Sequence, residues 1–258
     1  MTERVELVLA PNPGPMTFDG TNSWVLVEPG GGEAVVVDPG PDDPGHLGRL
    51  VAVAARRGAV ISRILLTHRH GDHAEGARAL ADRTGAPVLA SDGRCADGVL
   101  RGGDVLDAGG LRVEVLATPG HSRDSLSFAL PADSAVLTGD TVLGRGAPAI
   151  LHPDGRVADM IASLRALRSR HAGLVLPGHG PVVSEPGRVL DAALRARARR
   201  LESVVHARRG GSADVAEIVD ALYPALHPHV RRAAEATVRA HLAYLDTDPD
   251  LTALEAIR

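Results

Sequence analysis

Residues 65–77, "LLTHRHGDHAEGA", place three histidines and an aspartate within six positions, directly after a short apolar run. Imidazole and carboxylate groups together suit divalent transition metals such as Zn²⁺, Mn²⁺ and Fe²⁺. His68 and His70 lie on an expected extended turn, so that both side chains can converge on one ion. Asp72 and His73 begin the next predicted helix and can face a second ion. The segment therefore predicts a metal site with two halves.

Three further candidate ligands follow predicted strands elsewhere in the chain. The run "VEVLATPG" is followed by His121, "AVLTG" by Asp140 and "LVLPG" by His179. Because neighbouring strands end at a common edge of a sheet, we expect these side chains to join the cluster at 68–73. Cys95 is the one cysteine and lies outside every motif, which excludes an intrachain disulfide and a thiolate zinc cluster.

The elements that must position these residues are short strands and amphipathic helices. Apolar runs alternate with Gly/Pro-rich turns over most of the chain, and helical patterns cover residues 43–58, 73–85 and 159–171. Two halves, each rich in strands and closed by helices, predict an α/β fold. We expect a four-layer αββα sandwich with both sheets inside and the helices outside.

The character of the chain changes after the last predicted strand. From there the patterns predict helices only, at about 188–208, 213–222 and 228–245. We therefore expect a catalytic domain over residues 1–186 and a small helical domain over residues 187–258. The final stretch, "DTDPDLTALEAIR", is too short and too acidic to predict a β-wing.

The composition excludes several classes of protein. A net charge of −4 gives no general attraction to nucleic acid. No apolar run approaches the ~18 residues that a membrane span requires. The N-terminus carries acidic residues where a signal peptide needs basic ones. We therefore expect a cytoplasmic protein with no membrane partner, and its oligomeric state is left open.

The motifs "THRHGDH", "TPGHS", "LTGD" and "PGHG" resemble those of the metallo-β-lactamase superfamily, in order and in context, from residue 5 to about 185. The resemblance implies a site that is complete for two metal ions. It assigns His68, His70 and His121 to one ion, Asp72, His73 and His179 to the other, and Asp140 as the bridge between them.

The same resemblance implies a dinuclear hydrolase. Two divalent ions roughly 3.5–4 Å apart can share a hydroxide, with the pKa of the bound water lowered to about 7, and this bridging hydroxide is the expected nucleophile. Asp140 and Asp72 are the expected catalytic carboxylates, and Asp72 can relay a proton to the leaving group. Zn²⁺ is the expected metal, with Mn²⁺ and Fe²⁺ as alternatives, because the ligand set tolerates all three.

Two other stretches, "NPGPMTFDGTNSWVLV" and "TGDTVLGRG", resemble the lactamase-beta-2-like branch, whose members carry a small winged-helix-like C-terminal domain. The branch includes thioesterases that release acyl chains from carrier proteins and a single-strand-specific endoribonuclease. We therefore expect a thioester or lactone substrate, small or carrier-bound. The first alternative is a phosphodiesterase that cuts single-stranded RNA. Lesser alternatives are a hydroxyacylglutathione hydrolase, a persulfide dioxygenase, a β-lactamase and a nucleic-acid-binding regulator.

Arginines bear on this choice in two places. Residues 188–241 hold ten arginines and six acidic residues, and these arginines could contact an RNA backbone. The whole chain has only five aromatic residues, which leaves few side chains for base stacking. Arg69, Arg123 and Arg145 lie in loops beside the candidate ligands and are the expected contacts for an anionic substrate. The alternative is that each only balances a nearby carboxylate, that of Asp72, Asp124 or Asp140.

Overall fold

A computed structural model of the protein describes residues 2–212 and 214–247. Two β-sheets form its centre. The first sheet contains β1 (Val5–Leu9), β2 (Asn22–Val27), β3 (Glu33–Val37), β4 (Val60–Leu65), β5 (Val88–Ala90) and β6 (Gly98–Val99), side by side in chain order. The second contains β7 (Val105–Ala108), β8 (Leu111–Ala117), β9 (Leu126–Leu130), β10 (Ala135–Gly139) and β11 (Leu174–Pro177), in the order β11-β10-β9-β8-β7.

Helices cover the outer faces of both sheets. They are α1 (Pro44–Arg56), α2 (Gly71–Ala74), α3 (Ala77–Thr84), α4 (Val157–Ser169), α5 (Pro186–Arg209), α6 (Val215–Leu222) and α7 (Arg231–Thr247). The start of α1 is fixed by Asp43, whose side chain accepts a hydrogen bond from the backbone N–H of His46 at 2.6 Å. Among the described residues, no helix has the length and apolar character that crossing a bilayer requires.

Three apolar clusters hold the layers together. Trp24 and Phe128 belong to the cluster between the two sheets, where each is no more than 1% exposed. A second cluster joins the first sheet to α1 and α3, and a third joins the second sheet to α4. Helix, sheet, sheet and helix therefore follow one another, which confirms the predicted four-layer α/β sandwich.

The C-terminal helices α5, α6 and α7 share the third cluster. Leu190, Leu194 and Leu201 on α5 are buried in it together with Leu164 and Leu167 on α4. The small helical domain thus packs on the sandwich through a continuous apolar core. The acidic stretch considered for a wing lies mostly outside the described residues.

The predicted helix at 73–85 is wrong in one respect, because the structure divides it into α2 and α3. The break falls at Gly76, whose backbone N–H donates to the Gly40 carbonyl at 2.8 Å. A Cβ at this glycine would lie 2.8 Å from the Pro41 carbonyl oxygen, so only glycine allows the two loops to approach. The short strands β6 and β7 were not predicted either, since neither has a clear alternating pattern.

Candidate metal centre

The predicted strand ends meet at one edge of the sandwich. His68 follows β4, His121 follows β8, Asp140 follows β10 and His179 follows β11. Three sets of side chains there offer ligand atoms that lie within 4.8 Å of one another. The sets are His68, His70 and His121; His68, His73 and Asp140; and Asp72, His73 and His179. The structure therefore brings together all seven residues that the sequence singled out.

The first half of the centre is formed by three histidines. His121 Nε2 lies 2.9 Å from His70 Nδ1, so these two ring nitrogens point toward the same place. His68 is 1% exposed, and its Nε2 has no hydrogen-bond partner. A buried nitrogen without a partner is costly unless a cation or a proton donor satisfies it. This donor set fits a divalent ion.

The second half is formed by Asp72, His73 and His179. The Nε2 atoms of the two histidines lie 3.1 Å apart, and Asp72 Oδ2 is 3.2 Å from His179 Nε2. Two nitrogens bound at 2.0–2.1 Å in a tetrahedral shell are separated by about 3.3 Å. The observed separations are therefore close to those of ligands that share one ion.

Asp140 lies between the two halves. Its Oδ2 is 3.6 Å from His121 Nε2, and its Oδ1 is 3.4 Å from His73 Nε2 and 3.5 Å from His179 Nε2. Oδ1 is buried without a hydrogen-bond partner. A carboxylate that reaches both halves and has an unsatisfied oxygen fits the position of a bridging ligand.

Asp38 supports both halves, and sequence reasoning missed it. Its Oδ2 lies 2.8 Å from His73 Nδ1 and accepts a 2.7 Å hydrogen bond from the Thr67 hydroxyl, whose oxygen lies 3.0 Å from His68 Nδ1. Such outer partners fix the tautomer and orientation of metal-binding histidines. The signal was available, because Asp38 directly follows β3 as the candidate ligands follow their strands.

Backbone carbonyls orient the remaining imidazoles. His121 Nδ1 donates to the Ala149 carbonyl at 2.7 Å, and His179 Nδ1 donates to the Gly20 carbonyl at 3.2 Å. With the proton held on Nδ1, the Nε2 atom of each ring presents a lone pair to the centre. No residue type in the sequence marks a carbonyl for this task, so these partners could not be predicted.

Gly178 explains why a glycine precedes His179. A Cβ at this position would lie 2.6 Å from His73 Cε1 and 2.8 Å from Asp140 Oδ1. A side chain would therefore displace two candidate ligands at once. The motif needs glycine here for close approach rather than for backbone freedom.

The electrostatics of the two halves differ. Burial holds the pKa of His68 well below its usual value, and the charges of His73 and His121 act in the same direction. Burial likewise lowers the pKa of His70 to about 4. Burial opposes a charge on His73 as well, but the carboxylates of Asp140 and Asp38 outweigh it and raise its pKa well above the usual value.

These directions suit a metal centre. His68 and His70 favour the neutral imidazole, which is the state that binds a metal ion. In the second half, a proton on His73 neutralises charge between the two carboxylates, and a metal ion would replace it. Burial opposes ionisation of Asp140, yet the charges of His73 and His121 hold the pKa of Asp140 well below its usual range.

The three arginines expected to contact substrate are placed differently from one another. Arg69 donates its backbone N–H to Asp124 at 2.9 Å, and its guanidinium lies 3.4 Å from Asp124 and 3.0 Å from Asp154. Arg123 is 79% exposed in its side chain and lies 3.8 Å from Asp154. Arg69 therefore pairs with Asp124 and Asp154 rather than with Asp72, while the Arg123 side chain is largely exposed to solvent.

Arg145 belongs to the rim of the centre. Its guanidinium stacks over the Phe18 ring at 4.5 Å and pairs with Asp19 at 3.1 Å. The partner is thus Asp19 rather than the adjacent Asp140. Substrate contact by these arginines stays a prediction.

Comparison with known proteins gives two family matches. The description "Metallo-beta-lactamase superfamily" fits residues 16–98 and 96–179, and "Beta-lactamase associated winged helix domain" fits residues 215–248. A beta-lactamase-like protein 2 homolog of Caenorhabditis elegans is 30% identical over 217 residues, which cover 80% of this chain and 71% of that protein. An atrochrysone carboxyl ACP thioesterase of Aspergillus fumigatus is 29% identical over 240 residues, with coverage of 86% and 74%.

The chain is shorter than these relatives and spans 64% to 71% of the length of the first three curated proteins that it matches. Among solved structures, a metallo-beta-lactamase family protein of Thermus thermophilus has a TM-score of 0.81 at 24% identity and covers 96% of this chain and 95% of that one. The protein TTHA1623, solved in a di-iron-bound form, has a TM-score of 0.54 at 27% identity, with coverage of 68% and 94%. Because the first family description matches well over half of the chain, the protein belongs to the metallo-beta-lactamase superfamily.

Proposed function

We propose that the protein is a metal-dependent hydrolase of acyl thioesters, with a carrier-bound acyl chain as its substrate. The observation that carries the chemistry is the convergence of seven ligand-type side chains with two unsatisfied buried atoms, His68 Nε2 and Asp140 Oδ1. The similarity to an atrochrysone carboxyl ACP thioesterase supports the substrate class.

The candidate ligands divide between two ions. His68, His70 and His121 would hold one, Asp72, His73 and His179 the other, and Asp140 would bridge them. The similarity to a protein solved with two iron ions supports a dinuclear centre, and Zn²⁺ is the metal that we propose. When bound, such ions supply a Lewis acid and acidify water to a pKa of about 7.

Asp72 is proposed to move the proton. Its side chain is 31% exposed, more than that of Asp140 at 13% or of the paired His73 and His179, so it faces the approach to the centre. Burial opposes its ionisation, but the hydrogen bond from His179 and the charge of His73 keep the pKa of the carboxyl below its usual value. A carboxylate in this state accepts a proton and can deliver it to a leaving thiolate.

The RNA-cleaving alternative has less support. It needs a row of free arginines on α5, but Arg197 is buried, Arg200 lies over the Tyr223 ring at 4.4 Å and Arg208 pairs with Asp246 at 3.8 Å. Arg195 and Arg199 are exposed on the same helix, so a phosphate backbone would meet an interrupted row of cations rather than a continuous one. We therefore keep RNA cleavage only as an outcome of the test.

A division of labour between two domains completes the proposal. Residues 1–186 would carry the chemistry. Residues 187–258 would contact the part of the substrate that lies far from the bond to be hydrolysed. The support is that α5 and α7 pack beside the segment whose Ala149 carbonyl orients His121.

A paired activity assay tests the proposal. One metal-quantified preparation is offered an acyl-pantetheine thioester and a fluorogenic single-stranded RNA. We expect the wild type to hydrolyse the thioester and Asp140→Asn to lower turnover at least 100-fold, because Asp140 reaches both halves of the centre. The control Asp82→Asn, on the exposed face of α3, should leave turnover unchanged. RNA cleavage that Asp140→Asn abolishes, without thioester turnover, would overturn the substrate class.

A further inference from the structure

Arg197 on α5 is a buried cation without an acidic partner among the described residues. It is 5% exposed, and its guanidinium donates to the Pro148 carbonyl. The ionisable groups near it are Tyr223, a phenol, and a second arginine, Arg200. Buried charges in folded proteins are normally paired, because an isolated charge is costly to take out of water. This arginine is therefore suited to an anion that comes from outside the chain.

Two adjoining cavities open on Arg197. One, of about 320 Å³, lies between the segment 147–149 and the helices and is also lined by Arg200 and Tyr223. The other, of about 490 Å³, runs along α5 and is also lined by Arg145 and Arg199. Both cavities have Arg197 and Pro148 in their walls, and we name the pair of cavities the Arg197 cleft.

The polar groups around the Arg197 cleft are cationic or neutral. Arg200 is held against the Tyr223 ring at 4.4 Å, which leaves the edge of its guanidinium available for hydrogen bonds. His241 is fully buried, and its Nε2 has no partner. Burial, with the charges of Arg197 and Arg200, lowers the pKa of His241 to about 4. The lining of the two cavities holds several arginines and no acidic residue, which favours an anionic ligand.

The Arg197 cleft shares one wall with a support of the metal centre. Its wall includes Ala149, whose carbonyl accepts the 2.7 Å hydrogen bond from His121, and Met16 from the N-terminal loop. The segment 147–149 thus borders both the Arg197 cleft and a candidate metal ligand.

We propose that the Arg197 cleft binds an anionic group of the substrate, a phosphate or a carboxylate, through Arg197 and Arg200. Guanidinium groups bind both oxyanions in a bidentate manner. The inference rests on the proposed thioesterase function. A carrier-bound acyl chain is attached to a phosphopantetheine arm, which contains a phosphate. The acyl chain itself can carry a carboxylate.

Calorimetric titration of the metal-loaded protein separates the two sources. The probes are 4′-phosphopantetheine, pantetheine without the phosphate, and glutarate. We expect 4′-phosphopantetheine or glutarate to bind saturably. If the anion that the site recognises is the phosphate of the carrier arm, pantetheine should bind at least tenfold more weakly than 4′-phosphopantetheine. If glutarate binds and the phosphate adds nothing, the source is the acyl carboxylate.

Three variants locate the site. Arg200→Gln and Arg197→Gln should each weaken the anionic probe about tenfold or more, because each removes a charge-assisted pair. Arg195→Gln is the matched control, since Arg195 is exposed on the same helix and lines neither cavity. Arg200 is the safer test of binding, because Arg197 also holds Pro148 and its loss could disturb the fold. Equal affinity in wild type, Arg200→Gln and Arg195→Gln would overturn the site.

Kinetics then separates this proposal from the proposed function. Arg200→Gln should raise KM for a thioester that carries the anion and leave kcat near the wild-type value, with no change for a thioester that lacks it. Anion binding lost in Arg200→Gln, in a protein without thioester turnover, would leave the anion site standing and overturn the thioesterase.

Discussion

The hydroxyl oxygen of Thr237 on α7 accepts a 3.0 Å hydrogen bond from the buried backbone N–H of Ile150. The preceding residue, Ala149, gives its carbonyl to His121 Nδ1. One link therefore connects the C-terminal helices to a candidate metal ligand. The same segment receives a second hydrogen bond from Arg197 at Pro148, so α5 and α7 together set its position.

Thr237→Val should weaken the metal centre without removing any ligand. The variant keeps the shape of the side chain but leaves the Ile150 N–H buried without a partner, which costs about 1–3 kcal/mol. We expect metal affinity to fall by about tenfold, the low end of the range for residues that support ligands indirectly. Competition with a chromophoric chelator measures this affinity. Thr237→Ser restores the acceptor and should return it to the wild-type value; equal weakening by both variants would contradict the link.

Asp38→Asn should impair the second half of the centre while the fold persists. An amide in this place can still accept from the Thr67 N–H, but its NH₂ group meets the Nδ1 proton of His73 and the Thr67 hydroxyl. We expect one metal ion to bind 10–100-fold more weakly. Metal content after dialysis against a weak chelator shows the effect. Asp42→Asn, an exposed neighbour, should keep full metal content, and the same retention in Asp38→Asn would refute the assigned role.

Sequence patterns predicted the sandwich because its strands are buried on one or both faces, which gives them short apolar runs ended by Gly or Pro. The pattern failed where tertiary contacts decide the local structure. Gly76 breaks a helix that its neighbours favour, because the loop at Gly40 packs against it. β6 has two residues, too few for any alternation, and exists through its pairing with β5.

The candidate ligands were predictable because they either follow a strand or lie in the tight cluster at 68–73, and because they are residue types that bind metals. Their supports were not, apart from Asp38, because a backbone carbonyl such as that of Ala149 has no residue-specific signal. The partners of Arg69 and Arg145 lie far from them in sequence, so sequence spacing does not predict these pairs. Arg145 lies five residues from Asp140 in the sequence but pairs with Asp19 across the rim.

Removal of residues 190–258 should yield an insoluble or molten protein. Leu164 and Leu167 on α4 are no more than 4% exposed because α5 covers them, and the truncation would return their apolar surface to water. Solubility, dye binding to exposed apolar surface and cooperative thermal unfolding report the outcome. A soluble truncation that unfolds cooperatively would show that the sandwich is independent of the C-terminal helices.

His46 should make the fold sensitive to acid. Burial lowers its pKa to about 4, and Arg49 acts in the same direction, whereas the unfolded chain has the ordinary value of about 6.5. Between these values the unfolded state binds more protons, so the free energy of unfolding falls as the pH falls, by about 1 kcal/mol per unit from this residue. Urea titrations at pH 6 and pH 5 on wild type and His46→Gln isolate the effect. An equal loss in both proteins would contradict it.

The number of metal ions that the seven side chains hold tests the dinuclear centre most directly. Native mass spectrometry of the metal-free protein during titration with Zn²⁺ counts them for each chain. We expect two ions in the wild type, with activity following the second, and a single retained ion in a His73→Ala, His179→Ala double variant. Saturation of the wild type at one ion, or two ions retained in the double variant, would contradict the dinuclear centre.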